Sequence, residues 1–465
     1  MRISIVGNGS IGTLTAINLA KEFPKAEITL IGDSDRNWAA STAAGAMANV
    51  YAEMEFSSGY MLETNRKYLE MGKRGSRAWL DFLNLTGGMY SVTSPDTYVY
   101  LKKSHSGFEA QNYGAVCDTA QDDGVLTKLT AGEIESNFPS HAKNTILDAI
   151  RINGEFTFST LNLFFHLDSL LKKTKVKVVS GKVSSVNLAE NTISLTDSSE
   201  PKIKYDLVIL CAGARTSQLL PANTIMPVFQ GVGVALLLDE VKDLEMNKLR
   251  KGVFRSVNRG GAQCGIHLVP REDGKFYLGA GNYVSKVEDP KIRFDTIRYL
   301  LDTLSEDLIG KNLRYELTGS IKLGLRPRAL DGFPMIGPIS SHQNAFVATA
   351  TNRAGLTWAP FISAQIASWI SGMPQDSLIS DWLPDRKPIP FGTLEDGISY
   401  FTESRISNAL EHGLISNSDS ELELKRNEFK SVAHKLATEV SLRVEIDEEY
   451  TVNPDNWAAI CSIDK

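Results

Sequence analysis

Three glycines in the spacing Gly-x-Gly-x-x-Gly stand near the start of the chain, between an apolar run and residues that repeat at helical spacing. A strand that turns directly into a helix leaves the first N–H groups of the helix free, and these groups, with the helix dipole, attract a phosphate. The first glycine permits the tight turn, the second lets a pyrophosphate approach the backbone, and the third lets the helix pack closely on the strand. The residues of this predicted dinucleotide site are Gly7, Asn8, Gly9, Ser10, Ile11 and Gly12.

An acidic residue after the second predicted strand supports the same assignment. Asp33 ends the segment "AEITLIGD" and stands 33 − 12 = 21 residues after Gly12, close to the roughly 20 residues typical of an acid that holds a ribose hydroxyl. Gly32 occupies the place where this acid usually stands, so Asp33 comes one residue late. We predict that Asp33 and the neighbouring Ser34 contact the cofactor. A glycine motif of this kind, taken alone, also fits the turn of an ordinary α/β unit.

Length and composition narrow the class of protein. A chain of 465 residues suggests two or three domains or one large enzyme with two lobes. The net charge of −6 argues against nucleic-acid binding, which usually needs a basic face. The four cysteines are scattered without a C-x-x-C pair, so we expect neither a metal site nor a disulfide framework. Because the first predicted strand leaves no room for a signal peptide and no apolar run is long enough to span a membrane, we expect a cytoplasmic protein.

The segment after Asp33, "SDRNWAASTAAGAMANVY", is rich in small side chains. Small side chains let a backbone run flat against a bulky planar ligand, although a tightly packed, alanine-rich helix start is the alternative. Together with later segments, this sequence resembles the FAD-dependent amino-acid and amine oxidases of the D-amino acid oxidase superfamily, with glycine oxidase and sarcosine oxidase as the most similar types. The resemblance extends from residue 1 to about residue 385.

Ordered segments across most of the chain carry this resemblance. "ASTAAGAM" is similar to the family's segment along the flavin, "VKVVSGKVSSV" to its strand at the adenine, and "YDLVILCAGARTSQLL" to the strand and turn that close the FAD site. "IMPVFQGVGV" and "IHLVPREDGKFYLGAGN" resemble strands of the substrate half. "GLRPRALDGFPMIGPI" and "ATATNRAGLTWAP" resemble the closing strand and the start of the last helix.

The resemblance implies that the dinucleotide is FAD. Some sarcosine-oxidase relatives tether the flavin through a cysteine, but "SIKLGLRP" has none there, so we expect noncovalent binding. A second helix N-terminus, at Gly355, is expected to face the flavin and to stabilise the negative charge of the reduced ring. The further cofactor-binding residues implied are Ser41, Thr42, Ala43, Ala44, Gly45, Met47, Val183, Cys211, Ala212, Gly213, Arg326, Arg353, Ala354, Gly355, Leu356 and Thr357.

The expected fold class is α/β, with a Rossmann-type, GR2-like FAD-binding domain, a discontinuous mixed α+β substrate domain and a C-terminal helical extension. The predicted limits are about 1–85, 150–220 and 325–385 for the FAD-binding domain, about 86–149 and 221–324 for the substrate domain, and 386–465 for the extension. The extension contains a charged amphipathic helix followed by a short strand or tail. It is either a cap packed on the domain or a surface for a second copy or a partner protein.

Two arginines are the candidate substrate anchors. A guanidinium pairs with a carboxylate through two parallel hydrogen bonds, and the resemblance places Arg326 where glycine oxidase binds the substrate carboxylate. It places Arg353 beside the flavin ring, where the family has an arginine or lysine that contacts substrate or flavin. A structural salt bridge, for example to Asp331, is the alternative for Arg326. A buried structural role is the alternative for Arg353.

His267 and Asn282 correspond to pocket positions on paired strands, where glycine oxidase has a tyrosine and a methionine. Both departures make the pocket more polar, which puts glycine itself in doubt as the substrate. A satisfied core histidine is the alternative for His267. Tyr51 is a weaker pocket candidate, since core packing explains it better.

These residues predict an enzyme that oxidises the C–N bond of an amino acid or carboxylate-bearing amine to an imine by hydride transfer to flavin N5. Either O2 or another acceptor then takes the electrons from the reduced flavin. One alternative is a flavoprotein that acts on a hydroxy acid or on a larger or carrier-bound amine. Another is a flavoprotein subunit whose residues 386–465 bind a partner. The sequence leaves the choice between oxidase and dehydrogenase open.

Overall fold

The computed structural model of the chain describes residues 1–56, 60–196, 202–259, 264–285, 291–374, 376–416 and 418–462. The strands are β1 (Arg2–Val6), β2 (Glu27–Gly32), β3 (Val92–Lys102), β4 (Leu126–Lys128), β5 (Ile146–Phe158), β6 (Lys177–Ser180), β7 (Val183–Asn187), β8 (Thr192–Leu195), β9 (Ile203–Lys204), β10 (Leu207–Leu210), β11 (Val228–Leu238), β12 (Val253–Ser256), β13 (His267–Pro270), β14 (Phe276–Ser285), β15 (Gly319–Ala329), β16 (Met335–Ile339), β17 (His342–Thr349), β18 (Gly392–Thr393) and β19 (Tyr450–Thr451). The α-helices are α1 (Ser10–Glu22), α2 (Ala40–Ala43), α3 (Tyr60–Thr86), α4 (Gly107–Asp122), α5 (Ala131–Asn137), α6 (Ala142–Thr145), α7 (Thr160–Leu171), α8 (Leu244–Lys248), α9 (Phe294–Leu304), α10 (Gly355–Ile370), α11 (Leu394–Glu411), α12 (Asp419–Ser441) and α13 (Trp457–Ile460).

The predicted strand–turn–helix–strand unit at the start of the chain is present as β1, α1 and β2. It belongs to a six-stranded sheet with the order β16-β17-β10-β1-β2-β6. β1 pairs in parallel with both β2 and β10, whereas β16 runs antiparallel to its neighbour β17. Parallel strands need crossover connections, which place covering elements on the faces of the sheet and bury it.

Two hydrophobic clusters cover opposite faces of this sheet. On one face, Ile5 of β1 clusters with Leu19 of α1 and Ile362 of α10. On the other face, Val208 of β10 clusters with Trp457 of α13 and with apolar residues of α11 and α12. The alternation of apolar side chains along each strand supplies both clusters. The C-terminal helices therefore belong to the core of the molecule.

The larger sheet has eight strands in the order β15-β11-β14-β13-β12-β3-β5-β4. β11 pairs antiparallel with β15 along its whole length and with β14 on its other side. The segment "IHLVPREDGKFYLGAGN", expected to form strands, contains β13 and the first part of β14. A cluster that includes Tyr100, Leu268 and Leu300 packs α9 against this sheet. The α/β fold class predicted from the sequence is confirmed.

The C-terminal extension, residues 386–465, contributes α11, α12 and α13 and the small sheet of β18 and β19. The predicted charged helix is α12, whereas α11 was not predicted. At the end of α11, the buried Glu411 carboxylate forms ion pairs with Lys102 of β3, 3.6 Å away, and with Arg259. These ion pairs fix the extension to the larger sheet. Among the described residues, no helix combines the length and the apolar character needed to cross a membrane.

Replacing Gly7 by alanine is expected to destabilise the protein and to weaken cofactor retention. Gly7 has φ of +107°, and a Cβ there would lie 2.2 Å from the Cys211 carbonyl oxygen. The unfavourable φ alone costs about 1–3 kcal/mol, and the contact adds to it. The measurement is the free energy of unfolding, together with the FAD content of the purified protein.

Gly114→Ala is the matched control for this variant. Gly114 lies inside α4, and a Cβ there meets no atom within 4 Å. Alanine in an unobstructed helix interior stabilises by about 0.5–1 kcal/mol relative to glycine. Equal stability of the Gly7→Ala and Gly114→Ala variants would contradict the structure of the turn.

Candidate active site

A cavity of about 320 Å³ opens at the carboxyl ends of the parallel strands β1, β2 and β10, where ligands bind in open α/β sheets. Its wall continues along residues 36–47 to β11, β13, β14 and β15 of the larger sheet and to the first turn of α10. The cavity thus has walls from both sheets. The lining thus runs from the glycine turn to Arg326 and His267.

The glycine turn forms the first end of the cavity. α1 begins directly after Gly9, so its N-terminus and the positive end of its dipole lie at the cavity wall. The Ser10 N–H donates to Ser41 Oγ at 3.2 Å, and the two hydroxyl oxygens lie 3.0 Å apart. These contacts join the glycine turn to the small-residue segment.

The structure explains why a glycine, and not the acid, stands at position 32. The Asn8 side chain passes over Gly32 and donates to the Asp33 carbonyl at 2.7 Å. A Cβ at position 32 would lie 2.4 Å from Asn8 Cγ. Asp33 lines the cavity, and its carboxylate accepts a hydrogen bond from the Asp35 N–H at 3.0 Å.

The small-residue segment is packed closely against β15. The Leu325 N–H donates to the Trp38 carbonyl at 3.1 Å, and Ala39 pairs with Leu325 as an isolated bridge. A Cβ at Gly324 would lie 2.7 Å from the Ala43 Cβ. Close packing against β15 therefore requires small residues in this segment. This requirement is separate from the predicted contact of the segment with a flat ligand.

Unusual backbone conformations concentrate at this cavity. Among the described non-glycine residues, seven have positive φ, and four of these line the cavity. Each such conformation costs about 1–3 kcal/mol and persists where surrounding contacts hold it, often at functional sites. The four residues are Arg36, Trp38, Ala46 and Asn352. No pattern in the sequence indicated them.

Most of the predicted cofactor residues line the cavity; the exceptions are Gly12, Ser34 and Thr42. Gly12 instead allows close packing, because a Cβ there would lie 1.8 Å from the Gly7 carbonyl oxygen. The Ser34 hydroxyl lies against Asp35, and the Thr42 hydroxyl donates to backbone carbonyls of its own segment. The predicted residues that line the cavity are Gly7, Asn8, Gly9, Ser10, Ile11, Asp33, Ser41, Ala43, Ala44, Gly45, Met47, Val183, Cys211, Ala212, Gly213, Arg326, Arg353, Ala354, Gly355, Leu356 and Thr357.

Arg326 presents an unsatisfied guanidinium to the cavity. Its Nη1 atom is buried and has no hydrogen-bond partner within the part of the chain that the structure describes. The guanidinium lies over Gly233 of β11, where a Cβ would come within 2.8 Å of Cζ. Asp331, the alternative partner considered from the sequence, pairs with Arg386 at 2.8 Å instead. The charge of Arg326 is thus available to a ligand.

Arg353 has a different environment at the same cavity. Its Nε lies 3.2 Å from Glu53 and its Nη2 lies 2.7 Å from Glu55. Burial alone would raise the pKa of Glu53, but Arg255 and Arg353 lower it to about 2, so this carboxylate is charged at neutral pH. Arg353 therefore has two carboxylate partners in the protein, as expected for a structural arginine.

His267 lines the cavity and is uncharged near neutral pH. Burial, followed by the charge of Arg255, lowers its pKa to about 3. Nδ1 lies 3.1 Å from the Gly265 carbonyl, which can only accept, so Nδ1 carries the hydrogen and Nε2 is an acceptor. The ring stacks on Tyr277 with centroids 5.9 Å apart, and the Tyr277 hydroxyl donates to the Ala43 carbonyl.

Two candidates from the sequence do not line the cavity. Asn282 pairs with Gly233 across β11 and β14, so it lies one strand farther from Arg326 and is not a lining residue. Tyr51 packs with Val99 and its neighbours in a separate hydrophobic cluster. The core packing that we considered for Tyr51 is therefore the arrangement found.

Several lining residues were not identified from the sequence. Their polar or aromatic character gave no signal by itself, because the cavity assembles them from distant parts of the chain. They are Arg36, Trp38, Asn49, Glu53, Arg215, Cys264, Tyr277 and Asn352. For Tyr277, the one available indication was its position ten residues after His267, in the segment that resembles a pair of strands of the substrate half.

The residues fit FAD. The glycine turn offers a helix N-terminus for a pyrophosphate, Asp33 follows the second strand, and the first turn of α10 provides a second positive helix end. Within the described part of the chain, the buried Nη1 of Arg326 has no hydrogen-bond partner, so this donor is open to a ligand.

Comparison with known proteins supports this assignment. The sequence model of the family described as DAO, FAD dependent oxidoreductase, matches residues 2–369 of the chain. A curated relative, the uncharacterized oxidoreductase YurR of Bacillus subtilis (strain 168), is 23% identical over 398 residues, which cover 82% of this chain and 97% of the relative.

Two solved structures show the same fold. Glycine oxidase from Geobacillus kaustophilus aligns with a TM-score of 0.69 at 17% identity, over 83% of this chain and 99% of that chain. Iminodiacetate oxidase from Chelativorans sp. BNC1 aligns with a TM-score of 0.68 at 18% identity, over 82% of this chain and 99% of that chain. The family match ends in α10, so the extension lies outside it. Since the match covers most of the chain, this protein belongs to the DAO family of FAD-dependent oxidoreductases.

Proposed function

We propose that this enzyme oxidises the C–N bond of an amino acid or another carboxylate-bearing amine to an imine. The observation that carries the proposal is the Arg326 guanidinium, whose buried Nη1 has no partner among the described residues. A buried donor without a partner costs about 1–3 kcal/mol or more, and a substrate carboxylate would remove that cost. The rigid fork of an arginine matches a carboxylate in two parallel hydrogen bonds.

The cofactor end of the cavity supports the same reaction class. We propose that Gly7, Gly9 and Ser10 hold the pyrophosphate and that the α10 N-terminus stabilises negative charge at the ring. When bound, FAD supplies the two-electron acceptor for the amine. The protein is then required to bind, orient and desolvate the substrate.

His267 and Tyr277 are proposed to orient the amine. Because His267 Nε2 is an acceptor with a pKa of about 3, it holds an N–H hydrogen of the substrate without taking the proton. The Tyr277 hydroxyl already donates to the Ala43 carbonyl, so its oxygen is left as a further acceptor. These two neutral acceptors, with the Arg326 guanidinium in the same cavity, fit an uncharged amine attached to a carboxylate.

The names of the solved relatives agree with this substrate class. Glycine and iminodiacetate are both small amines that carry carboxylates, and the oxidases named for them share this fold. The identity of 17–18% supports the class only and does not select a substrate. We infer that O2 or another acceptor reoxidises the cofactor.

The proposal is tested by the visible absorption of the purified protein during anaerobic addition of glycine, sarcosine, proline and other L- and D-amino acids. We expect one or more of them to bleach the flavin band. Readmission of air then shows whether O2 restores the band. A flavin band that none of these amines bleaches would contradict the proposed substrate class.

Arg326→Met is expected to lower kcat/KM for the best carboxylate substrate by roughly 10- to 150-fold, because charged hydrogen bonds contribute about 1.5–3 kcal/mol. The wild type is expected to prefer this substrate over its amide, and the variant to lose that preference. Arg298→Met removes an exposed arginine that pairs with Asp295 and serves as the control. An unchanged preference in Arg326→Met would contradict the role of Arg326.

The pH profile provides a separate prediction about His267. Its folded pKa of about 3 lies below the ordinary value of 6.5, so the ring is neutral above about pH 4 and its titration is absent from the physiological range. His267→Asn is expected to reduce the rate of flavin reduction but to leave the apparent pKa values of kcat/KM between about pH 5 and pH 9 unchanged. Loss of a titration near pH 6.5 in the variant would show that His267 acts as a base.

A further inference from the structure

A second cavity, of about 380 Å³, shares a wall with the first. Glu53, Asn352 and Arg353 are among six residues that line both cavities. Of the predicted cofactor residues, only Arg353 and Ala354 also line the second cavity, so the expected FAD site does not account for most of its wall. Cavities of this volume with aromatic walls are typical of small-molecule sites.

One face of α11 forms the rim of the second cavity. Asp396, Ser399, Tyr400 and Glu403 all line it, and their spacing of i, i+3, i+4 and i+7 places them on one side of the helix. Asp396 and Ser399 are exposed, so the cavity opens to solvent at this helix. α11 lies beyond the family match, which ends at residue 369. Part of the opening is therefore built by a helix outside the family match, together with exposed residues such as Gln111 from within it.

Among the charged residues that line the second cavity, Asp396 is the one without an oppositely charged partner in the described part of the chain. Among the described residues, the lining carboxylates Glu53 and Glu55 pair with Arg353, and Glu403 pairs with Arg426. The other lining guanidinium, that of Arg328, is 3.5 Å from Asp455.

Asp396 has no such arginine partner within the described part of the chain. The Thr393 N–H and hydroxyl both donate to its Oδ2 atom, at 3.0 and 2.7 Å, and so cap α11. The residue as a whole is exposed and lines the cavity. The rim is consequently negative, and Tyr400 and Phe108 next to it offer aromatic faces, which also attract cations.

We propose that the second cavity is a distal subsite for a positively charged group of the substrate. This inference rests on the proposed function, since Arg326 would hold the carboxylate and His267 the reacting amine. The substrate class is then an amino acid whose side chain or N-substituent carries a second ammonium or guanidinium group. That group passes the wall at Arg353 and reaches the rim at Asp396.

Binding without turnover tests the subsite. 6-Aminohexanoate and 8-aminooctanoate carry a carboxylate and a distal ammonium but no α-amine, and hexanoate and octanoate are their uncharged-tail counterparts. Calorimetry on the FAD-loaded enzyme is expected to show that at least one ω-amino acid binds about two- to fivefold more tightly than its counterpart, the range of an exposed ion pair. The advantage is expected to shrink as salt is raised.

Two variants locate the effect at α11. Asp396→Asn keeps a capping oxygen and is expected to abolish the advantage of the ω-amino acid. Ser399→Lys adds a cation on the same helix face and is expected to make the uncharged-tail acid the tighter ligand. Because it leaves the Asp396 cap intact, it tests the subsite independently of the stability of Asp396→Asn. Glu133→Gln changes the equivalent carboxylate of another capping box, at Thr130 of α5, and is the matched control. Equal binding of charged and uncharged tails to the wild type would overturn the proposal.

Turnover separates this inference from the proposed function. If the subsite is correct, lysine reduces the flavin with higher kcat/KM than norleucine, and Asp396→Asn removes the difference. Oxidation of norleucine and lysine with equal kcat/KM would overturn the subsite and leave the proposed function intact. If an ω-amino acid binds more tightly than its uncharged counterpart but no amino acid reduces the flavin, the subsite is supported and the proposed function is refuted.

Discussion

The position of β15 depends on buried polar contacts with the C-terminal extension. Arg328 Nε donates to the Asn456 side chain at 3.1 Å, and Asn456 Nδ2 donates to the Ala329 and Leu330 carbonyls at 2.9 and 3.0 Å. The buried Asp331 carboxylate pairs with Arg386. Breaking a buried pair costs about 3–5 kcal/mol, since the remaining charge stays buried. The strand that carries the proposed substrate anchor is therefore fixed from outside the family match.

Arg326 and Arg353 illustrate how much a sequence resemblance settles. It assigned both to one cavity, and the structure places both there. Their electrostatic environments differ because Glu53 and Glu55, some 300 positions earlier in the chain, approach only Arg353. A carboxylate that enters the cavity competes with two existing partners at Arg353 and with none among the described residues at Arg326. The resemblance could not distinguish these cases.

The local elements were predictable for a physical reason. The turn from β1 to α1, the start of α10 and the strand β14 follow from glycine spacing and hydrophobic periodicity over a few residues. The absence of Asn282 from the cavity wall was not predictable, because it depends on strand order and on a register shift in the pairing of β11 with β14. Trp38 and Ala46 have positive φ, and their carbonyls accept hydrogen bonds from Leu325 and Phe158, which are distant in the chain. The predicted domain limits stay a prediction.

The extension covers the core and also lines the second cavity, so deleting it would change both at once. Trp457 and Phe401 belong to the cluster that covers one face of the parallel sheet, so loss of α11–α13 would expose Val208 and its neighbours. The polar face of α11 lines the second cavity and takes no part in that cluster. Since buried and rim residues alternate along the same helix, exchange of rim residues can change which ligand is accepted while the core stays packed. A substrate preference located on α11 would thus be free to vary without altering the FAD-binding turn.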